Sequence, residues 1–344
     1  MPRRPIPSEM LAVTLGRYGA PVTTGRLPVP SPGAGQVLVR MAAAPINPSD
    51  LASLEGRYAN RKELPTVPGI EGSGTVVAAG PGLLPRLLLG RRVACASSPD
   101  AGGTWAEYMV TSASLCVPLQ RGVTLEQGAT LLVNPLTALS LWDIALHEGH
   151  AAVVHTAAAS NLGRMILRVG LEKGIPQVCV VRRPEHVSAL RALGAEHVLV
   201  SADRDFVDRL RALSHELRAT LLLDPVAGQG AARLLQAAPA GSTLIVYADL
   251  SDEPISVEPR QLFFEDKRVR GFYLQEWTSG MPLVQRLRLT SRAQRLLGST
   301  LASRVRRRLP LSAAGEGVAM YQDDMGAGKV LLAADPEAVP LDGV

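Results

Sequence analysis

The sequence contains little cysteine and few aromatic residues. Only three of its 344 residues are cysteines, and aromatic residues make up 4%. Cys95, Cys116 and Cys179 lie far apart and form no CxxC pair, which argues against a disulfide framework and a cysteine-rich zinc site. We therefore expect a reducing, cytoplasmic compartment. Because hydrophobic residues still amount to 47%, Ala, Leu and Val must form most of the core.

Long apolar runs are also absent. No uninterrupted stretch is long enough to cross a bilayer, and the first ten residues lack the apolar segment of a secretory signal, so we expect no membrane partner. The net charge of +5 comes mostly from scattered arginines, with one dense run at Arg304, Arg306, Arg307 and Arg308. No aromatic residues alternate with this run to stack bases, which predicts a solvated surface and no nucleic-acid partner.

The first third of the chain is rich in proline and glycine. Short strands are predicted at Val37–Met41, Gly72–Ala79 and Arg92–Ala96. This pattern indicates a compact, β-rich, barrel-like domain. Gly328–Ala333 near the end of the chain is β-rich again, so we expect the tail to return to the first domain. A length of 344 residues favours two domains in total.

From about Glu126 the pattern changes. A helix-like segment over Leu125–Trp142 is interrupted at Asn134-Pro135, and short continuous apolar runs then alternate with amphipathic helices. Such runs are typical of a parallel sheet covered on both faces, so the sequence predicts a doubly wound α/β domain. The predicted strands are Ala151–Thr156, Gln177–Val181, His197–Val200, Thr220–Leu223, Thr243–Tyr247 and Val269–Leu274, and the helices Asn161–Lys173, Glu185–Leu193, Asp203–Leu217 and Ala231–Ala237.

The first strand of this alternating region ends in a run of small residues before a helix. A dinucleotide-binding turn needs small residues at threefold spacing, so that the backbone can approach the pyrophosphate and the helix N-terminus can face it. Ala157, Ser160 and Gly163 have this spacing, with Asn161 and Leu162 between them. The pattern is AxxSxxG rather than GxGxxG, and small residues also occur in such turns for packing alone. We expect these five residues to contact the cofactor.

The residues after the second strand indicate which dinucleotide is preferred. Sites for NAD usually place an acid about 20 residues further on, for the ribose hydroxyls. Here Arg182 and Arg183 lie nineteen and twenty residues past Gly163. Two guanidinium groups can clamp a 2′-phosphate, which predicts NADPH rather than NADH; the alternative is that both are ordinary surface residues. The later junctions Asp224–Gly228 and Tyr247–Leu250 either line the nicotinamide end or are ordinary turns.

Five short motifs occur in order along the chain. They are Asn47-Pro48-Ser49-Asp50, Pro68-Gly69-Ile70-Glu71-Gly72, Gly103-Thr104-Trp105-Ala106-Glu107-Tyr108, Asn134-Pro135-Leu136-Thr137-Ala138 and Gly271-Phe272-Tyr273-Leu274. Together they resemble the medium-chain dehydrogenase/reductases, most closely the 2-enoyl thioester reductases and next the quinone oxidoreductases. The resemblance implies a GroES-like catalytic domain of residues 1–125 and 275–344, a Rossmann domain of residues 126–274, and a homodimer.

The resemblance also implies site residues. Tyr58 matches the segment in which enoyl thioester reductases use a tyrosine as proton donor or enolate stabiliser; the alternative is a loop tyrosine that packs on the barrel. Asn47 would orient the nicotinamide ribose or the substrate carbonyl. Trp277 would line the substrate pocket, or simply pack. The remaining expected cofactor contacts are Asn134, Thr137, Tyr247, Ala248, Phe272 and Tyr273.

Zinc alcohol dehydrogenases place a cysteine, a histidine and a second cysteine on their catalytic metal. The matching positions here hold Asn47, Ile70 and Asn134. An isoleucine cannot bind a metal, and an amide is a poor zinc ligand. The sequence therefore predicts no metal.

These observations favour an NADPH-dependent reductase that transfers hydride to the C=C bond of an α,β-unsaturated carbonyl compound. A 2-enoyl thioester is the expected small-molecule substrate, and an enone or a quinone is the alternative. A third interpretation is a catalytically weak NADPH-binding sensor or structural protein. Nothing in the sequence distinguishes acyl-chain length or the acyl carrier.

Overall fold

The computed structural model describes residues 5–59, 61–98 and 100–341. It contains two compact units: residues 1–133 with 290–344 form unit 1, and residues 134–289 form unit 2. The chain thus changes unit somewhat later than at the predicted limits of 125/126 and 274/275. Within the described residues, no helix has the length and apolarity needed to cross a bilayer.

Strands and helices are numbered along the chain. The strands are β1 Glu9–Thr14, β2 Thr23–Pro28, β3 Gln36–Pro45, β4 Glu71–Ala79, β5 Arg92–Ala96, β6 Tyr108–Ser112, β7 Cys116–Pro118, β8 Val153–His155, β9 Gln177–Val181, β10 His197–Val200, β11 Leu221–Asp224, β12 Thr243–Val246, β13 Arg268–Gly271, β14 Val305–Pro310 and β15 Lys329–Ala333. The helices are α1 Pro48–Leu54, α2 Leu83–Leu88, α3 Leu125–Ala129, α4 Asn134–His147, α5 Asn161–Lys173, α6 Val187–Ala192, α7 Phe206–Glu216, α8 Gly228–Ala237, α9 Pro259–Phe263, α10 Leu274–Ser279, α11 Leu283–Leu296 and α12 Ala314–Asp323.

Unit 1 is built on a seven-stranded sheet with the order β14-β15-β3-β4-β5-β7, and β6 pairs with β3. The long strand β3 has antiparallel partners in β4, β6 and β15. Val37, Val39 and Met41 point from β3 into one buried cluster, because alternate side chains of a strand share a face. The pairing of β15 with β3 confirms that the tail returns to the first, β-rich domain.

Unit 2 contains a six-stranded sheet with the order β10-β9-β8-β11-β12-β13, and neighbouring strands in this order run parallel. This order is that of a doubly wound nucleotide-binding fold, which confirms the predicted fold class. Strands β8, β9 and β11 are buried along their whole length, and helices α7 and α8 pack against this sheet. Burial on both faces explains why these strands read as continuous apolar runs.

Four predicted helical segments have different limits in the structure. Asp203–Leu217 is shortened to Phe206–Glu216 in α7, and Ala231–Ala237 begins earlier, at Gly228 of α8. The segment Leu125–Trp142 is divided into α3 and α4, and α4 begins at Asn134, where Pro135 occupies an early helical position that needs no backbone N–H. The segment Glu185–Leu193 opens with a 3₁₀ turn at Pro184–His186 before α6. The predicted break at Asn134-Pro135 is thus where α4 begins, and Pro184 opens the 3₁₀ turn rather than α6.

His155 lies inside β8, fully buried. Its Nε2 is 3.3 Å from the Sγ atom of Cys179 on β9. Burial lowers the pKa of the imidazole to about 4 and raises the pKa of the Cys179 thiol to about 12. Both groups are therefore neutral at pH 7, as core residues should be.

Candidate functional site

The turn between β8 and α5 has the shape that a phosphate-binding turn requires. Ala157 adopts a left-handed conformation with φ of 47°. Ser160 caps α5, since its Oγ accepts from the backbone N–H of Gly163 at 3.0 Å. A Cβ atom on Gly163 would lie 2.5 Å from the carbonyl oxygen of Ala157, so only glycine allows the helix to approach the turn this closely. Asn161 and Leu162 form the first turn, where the positive end of the helix dipole lies.

Arg182 and Arg183 follow directly on β9, as predicted. Arg182 is exposed, and Arg183 is half-buried. The Nε atom of Arg183 lies 3.2 Å from a carboxylate oxygen of Glu185, and one of its terminal nitrogens lies 3.2 Å from Nε2 of His186. Glu185 and His186 of the following 3₁₀ turn thus hold the Arg183 guanidinium near the end of β9. Arg182 and Arg183 together place two basic side chains at this strand end.

Asp224 ties the ends of neighbouring strands together in unit 2. It is 1% exposed, and its carboxylate accepts a hydrogen bond from the Thr156 hydroxyl at the end of β8. It also accepts from the backbone N–H groups of Val226 at 3.2 Å and Ala227 at 2.6 Å. Ala227 has a φ of 65°, so the carboxylate holds a strained turn in place. Burial raises the pKa of Asp224, and these three donors oppose that shift.

The candidate residues at the nicotinamide end follow the next two strands. The backbone N–H of Tyr247 donates to the carbonyl of Asp224 at 3.1 Å, and that of Phe272 donates to Val246 at 2.9 Å. Burial raises the pKa of the Tyr247 hydroxyl far above its usual range, so this group stays protonated. Because β8, β11, β12 and β13 are parallel neighbours, the structure brings the small-residue turn, Asp224, Tyr247 with Ala248, and Phe272 to one sheet edge.

Tyr273 and Trp277 lie just beyond this edge, at the start of and within α10. The Tyr273 hydroxyl donates to the side chain of Gln275 at 2.9 Å. The indole of Trp277 is 39% exposed, and its ring centroid lies 5.8 Å from that of Phe272. Trp277 therefore packs on a candidate cofactor residue, and its part in a substrate pocket stays a prediction.

Asn134 and Thr137 occupy the first turn of α4 and are 8% and 6% exposed. Helix α4 packs closely on α5, since the indole N–H of Trp142 donates to the carbonyl of Ile166 at 2.8 Å. A Cβ atom on Gly170 would lie 2.3 Å from the Trp142 ring, so this packing needs glycine. The cofactor contacts expected for Asn134 and Thr137 stay predictions.

In unit 1, Tyr58 lies in the loop that follows α1 and is half-buried. The backbone N–H of Arg57 donates to the carbonyl of Ala52 at 2.8 Å, which joins the loop to the helix. The Arg57 guanidinium pairs with the Glu55 carboxylate at 2.5 Å. Tyr58 thus follows a turn that is tied back to α1.

Asn47 lies in a buried polar network rather than on a surface. Its amide nitrogen donates to Oε1 of Glu71 at 3.0 Å, and its amide oxygen accepts from the ammonium of Lys329. Its backbone N–H donates to Asp50 at 2.8 Å, and the other oxygen of Asp50 accepts from the N–H of Ile70 at 2.9 Å. Asn47 is 0% exposed, so the structure gives it an internal role, and its predicted contact with cofactor or substrate stays a prediction.

Glu71 extends this network to the last residues of the first segment of unit 1. Its Oε2 accepts from the backbone N–H groups of Leu132 at 2.9 Å and Val133 at 3.0 Å. Burial raises the pKa of Glu71 and raises the pKa of Asp50 to about 7. Burial also lowers the pKa of Lys329 to about 8, and its attraction to both carboxylates opposes that shift. Two acids and one base thus share a dry site in which each charge needs its partner.

Glu71 and Lys329 were not among the predicted site residues. Each carries a charge next to an apolar run, Lys329 at the start of Lys329–Ala333 and Glu71 before Gly72–Ala79. Buried charges of this kind are rare unless they are paired, which is the signal that could have singled them out. Their partners could not be inferred, since Asn47 and Lys329 lie far apart in the chain.

The positions that match zinc ligands hold Asn47, Ile70 and Asn134. The Asn47 amide oxygen is engaged by Lys329, and Ile70 contributes only its backbone N–H to Asp50. Among the described residues, no group of three or more His, Cys, Asp or Glu side chains is arranged to hold a metal ion.

The chain is similar to several known reductases. The family described as alcohol dehydrogenase GroES-like domain matches residues 33–121. The mitochondrial enoyl-[acyl-carrier-protein] reductase of Arabidopsis thaliana is 32% identical over 286 residues, which cover 78% of this chain and 73% of the relative. The chain is a zinc-independent member of the medium-chain dehydrogenase/reductase superfamily.

Solved structures agree with this membership. A Mesorhizobium loti protein assigned as an NADPH:quinone reductase is 35% identical, with a TM-score of 0.90 over 96% of this chain and all of its own. A mycobacterial protein solved with NADPH is 25% identical, with a TM-score of 0.79 over 94% of this chain and 99% of its own. This chain therefore belongs with the enoyl and quinone reductases. It is an NADPH-dependent oxidoreductase acting on CH–CH groups, and its cofactor is NADPH.

The buried network makes a prediction about stability. Replacing Lys329 by methionine leaves Asp50 and Glu71 buried without their counter-charge. Loss of one partner of a buried pair costs about 3–5 kcal/mol, so Lys329→Met should lower the free energy of unfolding by that order in urea denaturation. The control is Arg307→Met on β14, an exposed position where we expect a change within about 0.5 kcal/mol. Equal effects of the two variants would contradict the structural importance of the network.

Proposed function

We propose that this protein reduces the C=C bond of a 2-enoyl thioester with NADPH. The observation that carries the proposal is its 32% identity to the plant enoyl-[acyl-carrier-protein] reductase over most of both chains. Tyr58 supports it, because its segment resembles the one in which enoyl thioester reductases carry a tyrosine as proton donor or enolate stabiliser. In this protein the loop that carries Tyr58 is tied back to α1. When bound, NADPH supplies the hydride that adds to the β-carbon.

The protein's own residues handle the charge and the proton. As the hydride adds, negative charge develops on the thioester oxygen and the α-carbon becomes basic. A phenol is a neutral donor at pH 7, so the Tyr58 hydroxyl can hydrogen-bond the enolate oxygen or protonate the α-carbon. No metal ligand is needed for either role.

The proposed cofactor contacts divide by the part of NADPH that they would hold. Ala157, Ser160, Asn161, Leu162 and Gly163 would hold the pyrophosphate at the start of α5. Arg182 and Arg183 would hold the 2′-phosphate. The contacts proposed at the nicotinamide half are Asn134, Thr137, Tyr247, Ala248, Phe272 and Tyr273.

Loss of the Tyr58 hydroxyl tests the proposed chemistry. General acids typically contribute a factor of about 10²–10⁴, so Tyr58→Phe should reduce kcat with enoyl thioesters by about 100-fold or more while NADPH binding is unchanged. The measurement follows NADPH absorbance with a panel of enoyl-CoA esters, enones and quinones, together with NADPH titration of each protein.

A quinone reductase is the second candidate, favoured by the 35% identity to the Mesorhizobium loti protein over 96% of this chain. It needs no dedicated proton donor. Rapid NADPH oxidation by quinones alone, at equal rates in wild type and Tyr58→Phe, would reject the enoyl proposal in its favour. Tight NADPH binding with no turnover of any acceptor would indicate a sensor or structural protein instead.

Removal of Arg182 and Arg183 tests whether they give the protein its preference for NADPH over NADH. Charge-assisted hydrogen bonds contribute about 1.5–3 kcal/mol each, so Arg182→Ala combined with Arg183→Ala should raise KM for NADPH by at least about 100-fold. KM for NADH should stay nearly constant, because NADH lacks the 2′-phosphate. The matched control is Arg191→Ala, an exposed arginine on α6 that should leave both constants unchanged. Wild-type rates that are higher with NADH than with NADPH would reject the assignment.

We also propose that the protein is a homodimer through the edge of the unit 2 sheet. Among the described strands of this sheet, β13 is the last in order, and all four of its residues are exposed. Val269 on β13 is 40% exposed, and Phe263 and Phe264 just before it are 64% and 78% exposed. Arg268 and Arg270 on β13 pair with Asp266 and Glu148 of the same chain, which leaves Val269 as the apolar side chain of this edge. An exposed strand edge is a template for pairing with a second copy.

This assembly predicts a mass of two chains in sedimentation equilibrium. Val269→Glu would place a charge where pairing of two edges buries an apolar side chain, and it should yield monomers. Leu83→Glu in unit 1, at a position that is 76% exposed, is the control and should remain dimeric. A monomeric wild type, or a dimer that persists in Val269→Glu, would refute this interface.

The cytoplasmic location stays a prediction. The Arabidopsis thaliana relative described above is mitochondrial.

A further inference from the structure

One side chain, that of Tyr18, contacts the loop that carries Tyr58 at residues before and after Tyr58 in the chain. Its hydroxyl donates to the carbonyl oxygen of Lys62 at 2.7 Å, after Tyr58 in the chain. The guanidinium carbon of Arg61 lies 5.8 Å from the centroid of its ring, at cation–π range. Gly56, before Tyr58, lies against the same ring. The phenol of Tyr18 therefore bridges the two ends of the segment that carries Tyr58.

Gly56 is required for this contact. Its φ of 73° is in the left-handed region, and a Cβ atom there would lie 2.9 Å from Cγ of the Tyr18 ring. The carbonyl of Gly56 accepts from Nε of Arg61 at 2.6 Å. The loop is thus closed across its base by Arg61, and the Tyr18 ring lies against both residues of that closure.

The segment around Tyr18 is itself held to the body of unit 1. The backbone N–H of Gly19 donates to the carbonyl of Leu54 at the end of α1, at 2.9 Å. Leu15 and Thr66 exchange two backbone hydrogen bonds, at 2.8 Å and 3.1 Å. The half-buried ring of Tyr18 packs on the cluster that contains Leu51 and Leu54. The segment around Tyr18, here called the anchor, is therefore tied to unit 1 at Leu54 before the loop and at Thr66 after it.

We infer that Tyr18 is the positioning residue of Tyr58, an inference that rests on the proposed function of Tyr58. Tyr18 touches neither cofactor nor substrate in this role. It fixes the two ends of the loop, and this restricts where the Tyr58 hydroxyl can lie during proton transfer. Displacement of a reacting group by about 1 Å can cost on the order of 100-fold in rate, so ordering of this loop matters for turnover.

The test is a double-mutant cycle of Tyr18→Phe and Tyr58→Phe with an enoyl-CoA substrate. Tyr18→Phe removes the hydrogen bond to Lys62 and keeps the ring. Loss of one hydrogen bond of about 0.5–1.5 kcal/mol should lower kcat by about 2- to 10-fold, with KM for NADPH unchanged. In the Tyr58→Phe background the same change should have almost no further effect, because Tyr18 acts only through Tyr58.

Hydrogen exchange of the backbone amides of residues 57–59 provides a second measurement, independent of turnover. Tyr18→Phe should speed this exchange, while Tyr108→Phe, which removes a hydroxyl from β6 of the same unit, should leave both exchange and kcat unchanged. Gly56→Ala, which displaces the ring, should speed exchange at least as much as Tyr18→Phe.

The outcomes separate the two proposals. Unchanged exchange in Tyr18→Phe overturns the anchor whatever the kinetics show. Faster exchange together with equal kcat losses in both backgrounds overturns its link to Tyr58. If exchange is faster but Tyr58→Phe reduces enoyl substrates as fast as wild type, the proposed function of Tyr58 fails and the anchor stands as a structural contact. The inference is supported if Tyr18→Phe speeds exchange and lowers kcat in the protein that retains Tyr58, but does not lower kcat further in the Tyr58→Phe variant.

Discussion

The hydrogen bonds that join Lys329 to Asn47, and Asn47 to the carboxylates of Glu71 and Asp50, form the interaction on which unit 1 depends. It joins the start of α1, the start of β4 and the start of β15, and through Glu71 it holds the backbone at Leu132 and Val133. Every member is at most 1% exposed. A charge buried this deeply is tolerated only when its partners are in place, so the network enforces one arrangement of four chain segments.

Asp224 has the corresponding role in unit 2. A single carboxylate accepts from Thr156 at the end of β8 and from two N–H groups of the turn after β11. The ends of adjacent parallel strands are thereby held in register at the edge where ligands bind in open α/β sheets. The small-residue turn at Ala157–Gly163 and the segments after β12 and β13 lie along this same edge. In the proposed function, cofactor specificity therefore depends on a few side chains that follow these strand ends.

Two of the positions that match zinc ligands of zinc-dependent relatives, Asn47 and Ile70, make internal hydrogen bonds in this protein. Asn47 bridges an ammonium and a carboxylate, and the backbone of Ile70 donates to Asp50. The chemistry proposed for Tyr58 uses a neutral hydroxyl, and its precision depends on how firmly the loop is held. The Tyr18 hydroxyl bonds the carbonyl of Lys62 and its ring lies against Gly56, the two contacts through which we infer that the loop is positioned.

The amino-acid sequence by itself determined the parallel sheet, the small-residue turn and the basic pair after β9, because these features depend on local spacing. Strands β5, β9 and β10 and helix α5 have the limits that periodicity predicted. Helix α4 begins at the break predicted from Asn134-Pro135, and a 3₁₀ turn that begins at Pro184 precedes α6.

Only the tertiary structure decided which charges pair and which side chains support the loop of Tyr58. Lys329 meets Asn47 across 282 residues, and Tyr18 meets Lys62 across 44. A buried charge must find some partner, but the choice of partner depends on strand order and packing, and neither is written in the neighbouring residues.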